Sequence, residues 1–209
     1  MPDWDEERPQ LRDNLTKILQ EVASQADRRD TPSLATARRW QSLLMQGFEV
    51  PQSVFVGAFR GEPGLEDIQV RVGVNYGVDS AEVAVALKQF EAKLQLVVAD
   101  LDNAIPVGHE LVEDQQNAVV DVCAWAHAEW VRIHPFANGN GRTARIWANF
   151  IALRYNLPPF VRLRPRPNEG YSEAGFQAMR GDRKPTVAVF RKLIDIFLDE
   201  DREQPSDLG

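Results

Sequence analysis

The chain has 209 residues, 44% of them hydrophobic, which is enough for one sizeable core. Its formal charge of −7 and pI near 5.1 repel DNA, RNA and anionic lipid, so partners of those kinds are not expected. No apolar run reaches the roughly 18 residues needed to span a bilayer, and the acidic start "MPDWDEERPQ" does not read as a signal peptide, so a cytoplasmic protein is expected.

In chain order, residues 1 to 9 are expected to fray. Leu11, Leu15, Ile18, Leu19 and Val22 then recur at helical spacing over about 10 to 28. "TPSLATARRW" offers Thr31 as an N-cap and Pro32 at the first helical position of a helix reaching about Met45. From 54 to 77 the texture is β-like: Val70, Val72 and Val74 alternate with Arg71 and Gly73, predicting a hairpin or flap with one apolar strand face. "DSAE" opens a further helix with Asp79 as its cap.

Between about 114 and 133, Val119, Val122, Cys123, Ala126, Trp130 and Ile133 fall on one helix face, and Pro135 ends it. A helix from Gly141 to Tyr155 is apolar on most sides, the mark of a central element. Cys123 has no second thiol and is expected to be a small buried hydrophobe. A Pro-punctuated link, "NLPPFVRLRPRPNEG", leads to helices at about 171 to 181 and 185 to 199, and 200 to 209 reads as a disordered acidic tail. The sum is mainly α with a small β element.

The chemistry concentrates in "HPFANGNGRTAR", residues 134 to 145. Gly139 and Gly141 strip side chains from the start of a helix, where unpaired N–H groups and the positive dipole end favour an anion. Arg142, Arg145 and Asn149 stand at i, i+3 and i+7 as a polar stripe on that helix, and a guanidinium fork suits phosphate. His134 supplies a base beside this seat, and Phe136 an anchor for the loop. The same residues also allow a plainer reading, a glycine turn whose arginines pair with surface carboxylates. Convergence of base, bare turn, helix start and paired arginines within one short stretch favours the phosphate cradle.

This stretch resembles the signature of Fic-domain proteins (the Fic/Doc or Fido superfamily), H-P-F-x-[D/E]-G-N-G-R-x-x-R. It is matched here by His134, Pro135, Phe136, Gly139, Asn140, Gly141, Arg142 and Arg145. The flap and the later "YSEAGFQAMRGDRKP" extend the resemblance over about 35 to 199, leaving 1 to 34 as an N-terminal helical extension. It implies a Fic-type helical bundle with a small β-hairpin flap, and AMP transfer from ATP to a Ser, Thr or Tyr hydroxyl of a target protein. His134 would then be the base, and Asn140 with the Gly139 and Gly141 amides would hold the α-phosphate. Arg142 and Arg145 would neutralise the departing pyrophosphate. Tyr171 and Met179 would line the adenine pocket, and the flap, Val70 to Val74, would dock the target edge-on.

Asn138 stands where the family has Asp or Glu, which implies a weakened magnesium site. The inhibitory motif of many relatives, [S/T]-x-x-x-E-[G/N], does not occur here. Restraint would come from a separate antitoxin-like protein, or from nothing. The same site could move UMP, phosphate or phosphocholine, or serve a silent nucleotide- or protein-binding module. Elsewhere, His127 is expected to support the site from behind, His109 to be solvated, and Arg162, Arg164 and Arg166 to form a solvated edge.

Overall fold

The computed structural model describes residues 9–168 and 170–203. Helix α1 (Pro9–Asp27) buries Leu11, Leu15, Ile18, Val22 and Ala26, as its spacing predicts, and Pro9 opens it where a missing N–H loses no helical bond. The expected fraying of residues 1–8 lies outside the described residues. Helix α2 (Leu34–Leu44) starts later than predicted, because Ser33 rather than Thr31 is its cap, with Oγ accepting from the Thr36 N–H at 3.2 Å. Gln95 donates to the Pro32 carbonyl and Glu91 accepts from the Leu34 N–H, each at 2.7 Å, so two side chains of a later helix fix Pro32 outside α2.

The predicted hairpin contracts to β1 (Arg71–Val72) and β2 (Asn75–Tyr76), antiparallel, with Arg71 opposite Tyr76 and Val72 opposite Asn75. Gly73, at φ +60°, reverses the chain straight after Val72, so Val70, Val72 and Val74 do not form one apolar strand face. The remainder of that segment is a 3₁₀ turn at Ser53–Phe55 and loops gathered on buried Phe55, Phe59 and Leu65.

Helix α3 (Ser80–Ala104) is capped by Asp79, which accepts from the Ala81 N–H at 3.0 Å. Then come α4 (Glu113–Ile133), α5 (Asn140–Arg154), α6 (Tyr171–Met179) and α7 (Lys184–Glu203). Helix α7 continues into the stretch expected to be tail, since nothing before Pro205 breaks a helix, and 204–209 lie outside the described residues.

Helix α5 is the axis of the bundle and packs on α4, α1 and α2. Its Trp147 meets Trp40 of α2 at 4.8 Å and Trp130 of α4 at 5.8 Å between ring centroids. Helix α1 shares this core, so the expected extension is built into the bundle. At its far end, α5 is tied to α3 by the Arg154–Asp102 ion pair at 2.6 Å. That leaves its N-terminus as the end available for a ligand.

Candidate functional site

His134 is the C-cap of α4, in the left-handed region at φ 53° and ψ 55°. A side chain costs on the order of 1 kcal/mol there, so surrounding bonds must hold it. They do: its N–H donates to the Trp130 carbonyl at 2.9 Å, and its own carbonyl accepts from Arg60 Nε at 2.7 Å. Nδ1 lies 2.8 Å from the Val131 carbonyl, which can only accept, so Nδ1 carries the proton and Nε2 keeps its lone pair. Burial pushes His134 down to about 4; the Val131 carbonyl opposes this and the Arg60 guanidinium adds to it. The imidazole is neutral at pH 7.

The following loop is closed by Asn140, whose Oδ1 accepts from the Phe136 N–H and whose Nδ2 donates to the Phe136 carbonyl, both at 2.8 Å. Its side chain, expected on a phosphate, is thus committed to the loop, and the backbone N–H groups of the helix start remain to face an anion. Phe136 is fully buried against Phe59 and Trp130 and anchors the turn.

The two glycines have different reasons for being glycine. Gly139 sits at φ +87°, and a Cβ there would come within 2.9 Å of Leu44 and 3.0 Å of Met45, so the fold itself requires it. At Gly141 a Cβ would meet nothing nearer than Arg145 Nη1 at 3.7 Å. Nothing in the protein forbids a side chain there, whereas an approaching phosphate would.

A cavity of about 480 Å³ opens over this helix start. The structure brings together in its wall His134, Asn138, Gly139, Asn140, Gly141, Arg142, Arg145, Tyr171 and Met179, with Val70, Arg71, Val72 and Gly73 of the flap. Val74 and Asn149 are not brought in. Asn149 instead bonds Val161, donating to its carbonyl at 2.8 Å and accepting from its N–H at 3.1 Å. Arg145 donates to the Leu163 carbonyl at 3.0 Å and, over a longer 3.4 Å, to the Tyr171 hydroxyl. That hydroxyl lies 2.6 Å from His127 Nε2 and, accepting from arginine, gives its own proton to the ring. Burial, with Arg145 adding, pushes His127 down to about 3 and keeps it neutral. His127 therefore supports Arg145 through Tyr171.

Several wall residues escaped the sequence reading. Arg166 is exposed, as a solvated edge requires, and it also lines the cavity, as does Gly175 of α6, where a Cβ would meet nothing within 4 Å. A glycine inside a helix costs up to about 1 kcal/mol, so an open wall there has a price. Arg60 is 1% exposed and hydrogen-bonds four carbonyls: His134 at 2.7 Å, Ile133 at 2.9 Å, Val78 at 2.7 Å and Ile68 at 3.1 Å. It joins the root of the flap to the end of α4. Gly77 completes that joint, since a Cβ there would fall 2.7 Å from that of His134.

Asn138 does not fit the cation expected of it. Its Oδ1 accepts from the Gly139 N–H at 2.7 Å, and turning the amide over would set a donor against a donor, so the oxygen is held on the backbone. Nδ2 is buried with no hydrogen-bond partner. The described residues of the cavity wall include no carboxylate, and no cluster of three metal-binding side chains occurs among the described residues. Such a donor set does not suit a hard divalent cation held by the protein.

In this helical bundle the central helix thus opens on a glycine-bare turn, with a neutral imidazole and a short hairpin bordering the same cavity. The chain belongs to the Fic/DOC family, whose sequence pattern matches residues 31–152. It is 31% identical over 109 residues to the protein adenylyltransferase Fic of Nematostella vectensis, covering 46% of this chain and 25% of that protein. With the Drosophila mojavensis protein of the same name it is 29% identical over 136 residues, covering 62% and 24%. The chain thus spans about a quarter of the length of these relatives.

Among solved structures, Fic-1 from C. elegans superposes with a TM-score of 0.64 at 21% identity, covering 96% of this chain and 52% of that one. BepC of Bartonella tribocorum with bound AMPPNP gives 0.54 at 16% identity, covering 87% and 86%. These likenesses establish the fold. No helix among the described residues is long and apolar enough to cross a membrane.

Proposed function

We propose that the chain is a protein adenylyltransferase, moving AMP from ATP to a Ser, Thr or Tyr hydroxyl of a target protein laid along the flap. The observation that carries this is the neutral His134, its Nε2 lone pair left over by the Nδ1 bond to Val131, in the same cavity as the helix start and two buried arginines. The names of the curated relatives, and the AMPPNP bound by BepC, support ATP as the co-substrate.

In this reading Nε2 accepts the hydroxyl proton as the target oxygen bonds to the α-phosphorus. The bond from that phosphorus to the bridging oxygen breaks, and pyrophosphate leaves with the electron pair. Arg142 and Arg145 offset the charge that grows on the leaving group, and the helix start orients the α-phosphate. Tyr171, Met179 and the open wall at Gly175 offer a slot for the base.

The test is incubation with ATP labelled at either the α- or the γ-phosphorus. Label from the α-position should enter protein, and His134→Ala should lower that rate by about 10²-fold or more while leaving the circular dichroism unchanged. Label entering from the γ-position instead would assign phosphate transfer. Nucleotide binding without transfer would assign a silent module.

A further inference from the structure

Resting on that reading, we propose that the cavity takes its nucleotide as the free polyphosphate anion rather than as a chelate with a protein-held divalent cation. Asn138 acts as a hydrogen-bond donor, and Arg71 and Arg166 supply charge at the mouth. A bridging metal needs an oxygen from the protein, and the oxygen at this position is already engaged by the Gly139 N–H. The other end of the amide is a buried donor without an acceptor, and Asn138 belongs to the cavity wall. A phosphate oxygen supplies the acceptor it lacks.

Charge points the same way. Arg71, Arg142, Arg145 and Arg166 share one wall, with no carboxylate among its described residues. Arg71, Arg145 and Arg166 alone bring guanidiniums to the wall from three elements, an arrangement that attracts a polyphosphate and repels a divalent cation. Arg142 and Arg145 come from the helix start, while Arg71 on β1 and Arg166 on the link before α6 reach the cavity from two other elements. The positive charge that a metal would bring is distributed over the protein.

The experiment is calorimetric titration of the full chain with AMPPNP, a non-hydrolysable ATP analogue, in EDTA and again in excess magnesium. The parent should bind in EDTA at least as tightly as in magnesium; binding about tenfold or more weaker in EDTA would overturn the proposal. Asn138→Asp keeps an acceptor for the Gly139 N–H, and so the loop, but sets a carboxylate toward the phosphates. It should lose about tenfold or more in EDTA and recover with magnesium, and a variant indifferent to the metal would count against the donor role. Arg166→Gln should lose more affinity in EDTA than in magnesium; equal losses would remove Arg166 from the scheme. Binding seen only with magnesium would defeat this inference and leave the nucleotide reading standing, whereas no binding in either solution would defeat both.

Discussion

Loop 134–141 and hairpin 71–76 border the same cavity but are held by different means. In the loop, Phe136 is wholly buried, Asn140 brackets it with two hydrogen bonds, and Gly139 is pinned between Leu44 and Met45. The hairpin has two residue pairs, and Val72, Val74 and Tyr76 are 45%, 77% and 59% exposed. A two-stranded ribbon with so little burial is marginal alone. Beyond its root it is fastened by Asn75, which donates to the Phe176 carbonyl of α6 at 3.2 Å. The contrast is one of attachment: the loop is fixed by burial and hydrogen bonds along its length, while the hairpin leaves its outer side chains open to solvent.

Removing the link between the two regions should have the largest effect. Arg60→Met leaves four carbonyls, one buried and three part-buried, short of a donor and should cost about 3–5 kcal/mol, read from urea unfolding. A cost below about 1 kcal/mol would mean that the flap does not depend on the end of α4. Acid should strike the loop side next. His134 and His127 are held neutral, with values pushed down to about 4 and about 3 from an ordinary 6.5. Below pH 6.5 the unfolded chain binds more protons than the folded one, so stability is complete above that value and is lost as pH falls through about 4 and about 3. Unfolding midpoints across this range should slope downward toward acid, and a flat profile would show both rings open to water. The acid limb of kcat/KM should likewise lie below 6.5.

The smallest effects come as a pair that isolates the contrast. Gly139→Ala combines a left-handed backbone with a methyl forced onto Leu44 and Met45, and should cost about 2–3 kcal/mol of global stability. Gly73→Ala has a similar backbone penalty but open space around the methyl, so its cost should stay near 1 kcal/mol or less. Equal losses at the two positions would erase the distinction between the loop and the hairpin.

Much of this was legible in the chain because it is local. Helices α3 to α7 follow from apolar spacing, with Asp79 as a cap and Pro135 as a stop, and the seat at 139–141 from glycines next to a helix start. What escaped depends on distant partners. Arg60, in "GAFRGEP", has no local pattern that marks it, since its acceptors are carbonyls as far away as Ile133 and His134. Arg166 is solvated as its pattern suggests, but only the folding of the link brings it to the cavity. Ser33 displaced Thr31 as a cap because Glu91 and Gln95 of α3 reach the segment. The valine alternation suggested a longer strand, and one left-handed glycine cut it short.

The joint at Arg60 and Gly77 bears on how such a chain can diverge. Because the hairpin's root hangs from main-chain oxygens held by Arg60, and its far strand from the one side chain of Asn75, substitutions at the outward-facing positions leave both attachments in place. A lineage could therefore vary Val72, Val74 and Tyr76 by drift without loosening the hairpin from the bundle.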